Sequence, residues 1–148
     1  AKALGNGFPI GAVLATEVVA ETLVPGKHGT TFGGNPLATS VANAVLDEML
    51  VPGFLTHVET MGAKLRKHLQ KLIGNKQVFS EVRGIGLMIG LQCTVSNLDF
   101  MTALREEGLL SVVADGNVLR LLPPLIIDET EIDKACVALE RACTAIRP

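Results

Sequence analysis

The sequence predicts an α/β fold in two unequal pieces, and three observations carry that prediction. From about residue 50 to residue 148 helical and strand patterns follow one another, as in a small compact domain with a mainly antiparallel sheet flanked by helices. Residues 1–49 differ: Gly-rich and poor in helical periodicity up to residue 34, they read as the tail of a larger domain that ends in a linking helix. An apolar share of 48% against 19% charged residues in a chain of 148 leaves enough bulk for a buried core and argues against disorder. The opening AKALGNGFPIGAVLAT has no initiator Met, charged lead-in or helix cap, so a preceding segment is expected.

The elements follow in order. Ile10–Ala15 is an apolar run between Pro9 and Thr16 and reads as a buried strand that would need neighbours from elsewhere. A brief helical turn is expected around Val18–Leu23, and then a loop dense in Gly and hydroxyls, PGKHGTTFGGNP, over 25–36. Asn35 is a good N-cap and Pro36 suits the first helical position. Leu37, Val41, Ala44, Val45 and Met49 then share one helical face, and Pro52-Gly53 breaks the helix. A second helix carries Leu55, Val58, Gly62, Leu65, Leu69 and Leu72 inward, with Glu59, Lys64, Lys67 and Lys71 on the other face, and Gly74-Asn75 as its stop. His57 and His68 on this helix are expected to be solvated.

Gly86–Cys93, entered through Gly84, reads as a strand, and Arg83 before it as a structural residue. Ser96 with Asp99 resembles a capping box for a helix through Glu107, closed by Gly108. Leu109–Ala114 and Val118–Leu122 are apolar runs around the turn Asp115-Gly116-Asn117. Asp128 and Glu131 cap a last helix whose stripe is Ile132, Cys136, Leu139, Cys143 and Ile146.

Composition narrows the function classes. A net charge of −2 with no Lys/Arg cluster leaves no footprint for nucleic acid, and five Phe without Trp or Tyr offer few stacking platforms. No run is long and apolar enough to span a membrane, and no signal peptide is visible. Cys93, Cys136 and Cys143 form no metal-binding or CxxC spacing. They read as core thiols, which fits a reducing, cytoplasmic setting, and no metal site is expected.

Two short stretches can carry chemistry. Lysine is the amine of Schiff-base chemistry, and Lys2 is followed by Gly5, Gly7 and Gly11, which permit tight backbone paths beside a ligand. Taken alone it reads as a surface lysine without a catalytic role. In His28-Gly29-Thr30-Thr31-Phe32-Gly33-Gly34-Asn35, hydroxyls and exposed N–H groups before a helix suit a phosphate, although no Gly-Lys-Ser/Thr follows. By itself that stretch reads as a flexible surface loop with a helix cap.

Together AKALGNGFPIGAVLAT and HGTTFGGNPLA, with RGIGLMIGLQ at 83–92 and NVLRLLPPLIIDETEID at 117–133, resemble the class III, fold-type I pyridoxal-phosphate aminotransferases over essentially the whole chain. The resemblance is strongest to the members acting on acetylornithine, with those acting on ornithine and succinylornithine nearby. It implies the C-terminal portion of such an enzyme, with pyridoxal 5'-phosphate as cofactor. Lys2 then matches the lysine that binds the cofactor as a Schiff base and later moves the substrate proton. Thr31 matches the threonine that hydrogen-bonds the cofactor phosphate from the neighbouring subunit of a homodimer with shared active sites, and Thr30 a substrate-contacting position. Gly33-Gly34 would let the backbone approach closely. Arg120, in the matching LRLLPPL segment, is expected to face a glutamate or a substrate carboxylate, for which an arginine fork is suited. A strand-edge arginine in a surface ion pair is the alternative.

Asn6 stands where many relatives have Gly, and Asn tolerates the same left-handed turn. The resemblance further implies transfer of the ω-amino group of N-acetylornithine, or of ornithine or succinylornithine, to 2-oxoglutarate, as in arginine biosynthesis. The family's ring-binding aspartate, phosphate turn, stacking aromatic and main carboxylate-binding arginine precede the lysine, so the chain alone is expected to be inactive. The rival readings are a non-catalytic domain for packing and dimer contact, and a different class III enzyme such as a 4-aminobutyrate aminotransferase, an aminomutase or a racemase.

Overall fold

The computed structural model describes residues 1–76 and 78–146. By contact density the chain divides between Phe54 and Leu55 into two units. The first begins with a 3-10 turn at Lys2–Gly5, followed by α1 (Glu17–Ala20) and α2 (Pro36–Met49). The second holds α3 (Phe54–Lys76, which crosses the division by its first residue), β1 (Phe79–Ile85), β2 (Met88–Cys93), α4 (Asn97–Glu106), β3 (Val112–Ala114), β4 (Val118–Leu121) and α5 (Glu129–Ala145). The four strands form one sheet in the order β1-β2-β4-β3, antiparallel throughout. The α/β reading with a small antiparallel sheet is therefore the fold observed.

The helix ends obey local chemistry. Asn35 Oδ1 accepts from Ala38 N at 3.0 Å and starts α2, with Pro36 in the first turn. Ser96 Oγ accepts from Asp99 N at 3.3 Å and starts α4. At α5 the box is reciprocal: Asp128 Oδ1 accepts from Glu131 N (2.8 Å) and Glu131 Oε2 from Asp128 N (3.0 Å). α3 runs through Gly74-Asn75 to Lys76, beyond the stop read there.

The core of the second unit lies between the sheet and its helices. Leu65 and Leu69 of α3, Ile89 and Leu91 of β2, Leu119 of β4, Phe100 and Leu104 of α4, and Ile132 and Leu139 of α5 are all buried. Register places Ile89 opposite Leu121 and Leu91 opposite Leu119, so one sheet face is continuously apolar. Each such side chain contributes on the order of 1.5–3 kcal/mol by leaving water. Phe79 stacks on Phe100, with centroids 6.2 Å apart. The Asp115–Asn117 turn is tied to α4: Asn117 Nδ2 donates to Cys93 O and Val95 O, and Asn97 N donates to Asn117 Oδ1. Among the described residues Cys93, Cys136 and Cys143 are buried and outside any disulfide, no His, Cys, Asp and Glu cluster could hold a metal, and no helix is long and apolar enough to cross a membrane.

Several expectations are corrected. Ile10–Ala15 is not a strand: no described strand pairs with it, and Val13 and Leu14 are 90% and 95% exposed. Its apolar run has the composition of a buried strand, but a ladder needs a partner. The turn expected at Val18–Leu23 begins earlier, at Glu17. The face α2 buries is set by Ala38 and Ala42, while Leu37 is 62% exposed. The strand read from Gly86 starts at Met88, because Gly86 and Leu87 form the turn of a β1–β2 hairpin. β1 itself, with Arg83 paired to Glu81, escaped the sequence pattern. The two helix histidines are half-buried rather than solvated: His57 Nε2 donates to Ile127 O at 2.9 Å, and His68 Nε2 lies 3.1 Å from Glu140 Oε1 without hydrogen-bond alignment.

Candidate active site

Lys2 opens a tight turn. Asn6 N donates to Ala3 O (3.0 Å) and Phe8 N to Gly5 O (2.9 Å). Asn6 closes the turn in the left-handed region (φ 43°, ψ 48°), the conformation for which Asn is an acceptable substitute for Gly. Lys2 itself has φ 60°, uncommon for a residue with a long side chain. Non-glycine residues held there carry strain of order 1–3 kcal/mol, which clusters at functional sites. The turn packs against α2.

The loop before α2 approaches the same place. Asn35 holds it from both sides: Nδ2 donates to Phe32 O (2.7 Å) while Oδ1 caps α2. Lys2, Phe8, Pro9, Ile10, Thr30, Phe32, Gly33 and Gly34 line one open groove of about 980 Å³ within the first unit. It holds the Lys2 amine, one hydroxyl at Thr30 and a stretch of side-chain-free backbone. Such a set suits an aldehyde-bearing, phosphorylated aromatic cofactor: an amine for the carbonyl and donors for oxygens. The glycines leave room that side chains would otherwise fill.

Residues 1–143 match the aminotransferase class-III family profile. The chain belongs to the class-III aminotransferases. It is 56% identical over 147 residues to acetylornithine aminotransferase 1 of Bradyrhizobium diazoefficiens, covering 99% of this chain and 36% of that one. The structure resembles the crystal structure of N-acetylornithine aminotransferase from Stenotrophomonas maltophilia, with a TM-score of 0.84 and 36% identity over 98% of this chain and 38% of that one. It also resembles the ornithine aminotransferase of Toxoplasma gondii, a structure with partial occupancy of PLP at its active site, with a TM-score of 0.77 and 33% identity over 86% of this chain and 31% of that one. The chain thus spans about a third of the length of the curated relatives it matches.

Of the four residues singled out in this class-III chain, Lys2 and Thr30 line the groove together. Thr31 is exposed and is not part of that lining. Arg120 belongs to the second unit, on β4 opposite Gly90 of β2 and Val112 of β3. It is half-buried, and its Nε is enclosed without a hydrogen-bond partner among the described residues. A buried donor left unpaired is costly, and a carboxylate is the acceptor a guanidinium fork fits best. Sequence reasoning passed over Asn35 as a cap alone. Its second bond, to Phe32 O, makes it the brace of the Thr30 loop. The N-cap signal marked the residue, but only the fold shows what its Nδ2 reaches.

Proposed function

We propose that the whole protein is a pyridoxal-phosphate-dependent aminotransferase that moves the ω-amino group of N-acetylornithine, or of ornithine or succinylornithine, to 2-oxoglutarate. The carrying observation is that Lys2 and Thr30 line one groove in a chain of this family. The names of relatives at 43–56% identity support the amino donor. Bound pyridoxal phosphate supplies the electron sink that lets a proton leave the carbon bearing the amine.

This chain's residues do the rest. Lys2 Nζ is the amine that holds the cofactor's aldehyde carbon. Displaced by substrate, it stays beside the carbon acid and carries the proton as a general base. Thr30 contacts the substrate from the loop. Arg120, whose enclosed Nε has no partner among the described residues, would meet a carboxylate, the substrate's or a glutamate's. Thr31, exposed and outside the lining of its own groove, serves the phosphate bound by a second copy in a homodimer with shared sites. The setting is cytoplasmic. Alone, this chain is expected to turn over no substrate.

Borohydride reduction of the whole protein loaded with pyridoxal phosphate, followed by peptide mapping, tests the reading. The expected result is a single pyridoxyl adduct on Lys2, lost in Lys2→Ala. An adduct on another lysine would sink the assignment. Steady-state rates with acetylornithine, ornithine and 4-aminobutyrate then test the donor, and a preference for 4-aminobutyrate would replace it.

A further inference from the structure

Gly33 and Gly34 stand side by side in the loop, yet the structure constrains them for different reasons. Gly34 has φ 71°, and a Cβ there would meet nothing within 4 Å, so its requirement lies in the backbone. Gly33 is not among the residues of positive φ, so no left-handed backbone demands glycine there. What it lacks is space: a Cβ at 33 would overlap Thr30 Cγ2 and lie 3.4 Å from both Thr30 Cβ and Oγ1.

We infer that Gly33 is a positioning residue for Thr30: the missing Cβ leaves the place into which the Thr30 methyl is folded, and this sets where the Thr30 hydroxyl stands in the groove shared with Lys2. The argument is steric. Threonine is branched at Cβ and stiff at χ1, so its methyl and hydroxyl are placed together. A methyl at 33 would evict Cγ2. The least costly escape is a χ1 rotation to another staggered well, and that rotation necessarily moves Oγ1. The loop cannot readily shift as a whole to make room. Asn35 holds it at Phe32 O (2.7 Å) and at the start of α2, Ala38 N (3.0 Å). Gly33 acts through Thr30 and need not touch substrate itself. Its effect on turnover rests on the reading of Thr30 as a substrate contact, while its steric coupling to Thr30 does not.

The test is a double-substitution cycle in the whole, cofactor-loaded enzyme, because Thr30→Ser removes only the methyl that a side chain at 33 would strike and keeps the hydroxyl. Gly33→Ala is expected to raise KM for acetylornithine about five- to tenfold, the worth of one hydrogen bond, with kcat falling less. It should also lower Tm by several degrees. Adding Thr30→Ser should bring both KM and Tm back to the values of Thr30→Ser alone. Gly34→Ala, the control, should lower Tm through backbone strain and gain nothing from Thr30→Ser. If Gly33→Ala is no better in the presence of Thr30→Ser, in Tm as well as in KM, the positioning role is overturned. If Tm is rescued but Thr30→Ala leaves KM for acetylornithine unchanged, the steric pairing stands and the substrate contact of Thr30 falls.

Discussion

The two units differ in where their apolar side chains go. In the unit from Leu55 onward, residues from three helices and the sheet meet in one core, and Leu69, Ile89, Leu91, Leu104, Leu119, Ile132 and Leu139 are fully enclosed. In the unit up to Phe54 the buried apolar residues are two alanines, Ala38 and Ala42, while Val13, Leu14, Val18 and Phe32 face outward. Yet the first unit holds the Lys2 groove. Its shape rests on hydrogen bonds, a left-handed Asn6 and close backbone approach rather than on hydrophobic mass. The proposed site residues Lys2 and Thr30 thus lie in the part of the chain with the least core, and Arg120 in the part with the most.

That contrast can be broken by substitution. In this chain, Leu69→Ala should lower stability to urea by about 2–5 kcal/mol, the usual cost of truncating an enclosed leucine. Leu14→Ala should stay within about 0.5 kcal/mol, as at other exposed positions. Equal effects would mean that the units share a core and would end the comparison. Next in size is Gly62→Ala. A Cβ there would strike the carbonyl of Gly86 at the β1–β2 turn, and backbone cannot rotate aside as a side chain can. A loss of about 1–3 kcal/mol in the same urea experiment is expected, and a neutral result would show the hairpin tip to be loosely held.

The helix caps sharpen the comparison further. Asp128→Ala breaks a reciprocal box and should cost about 1 kcal/mol. Asn35→Ala should cost a similar amount and, unlike Asp128→Ala, should also loosen the 30–34 loop, read as faster amide exchange there. The smallest effect is alkaline. Burial pushes the Cys136 thiol from its ordinary 9.0 up to about 11. The pKa of Lys64 is raised from 10.5, chiefly by its hydrogen bond to Asp133. Both groups keep their protons longer folded than unfolded. Their contribution is therefore whole below pH 9 and declines as pH rises, first through the Cys136 interval and then above 10.5. Burial raises the Cys93 thiol above 9.0 as well, so the Cys136→Ala variant should show a smaller, not absent, early decline in pH-dependent urea melts.

Much of the fold was legible because its signals are local. The caps at Asn35, Ser96 and Asp128, the stripe of α5 and the turn at 115–117 depend on residues within a few positions of one another. The errors came from non-local facts. Ile10–Ala15 has strand composition without a strand to pair with, and β1 pairs well although only Phe79 of its residues is buried. The histidines of α3 were read from their own helix, but their partners, Ile127 and Glu140, are 70 or more residues away. At the candidate site, Lys2 and Thr30 were singled out through whole-segment resemblance, since a lysine near glycines says little alone. The space Gly33 leaves for Thr30 could not be read, because an absent atom acquires meaning only from what occupies its place.

The close approach of Gly62 to Gly86 has a mechanical consequence. Arg66, one turn further along α3, donates from Nη1 to the same Gly86 carbonyl at 2.7 Å. Notch and hook act on a single oxygen, so the helix can neither slide nor roll against the hairpin without losing one of them. Met61 and Ala63 flank the notch and carry the carbon that the neighbouring backbone excludes. The helix thus behaves as a keyed shaft, with one angular setting in which the hairpin and the sheet behind it turn together with it.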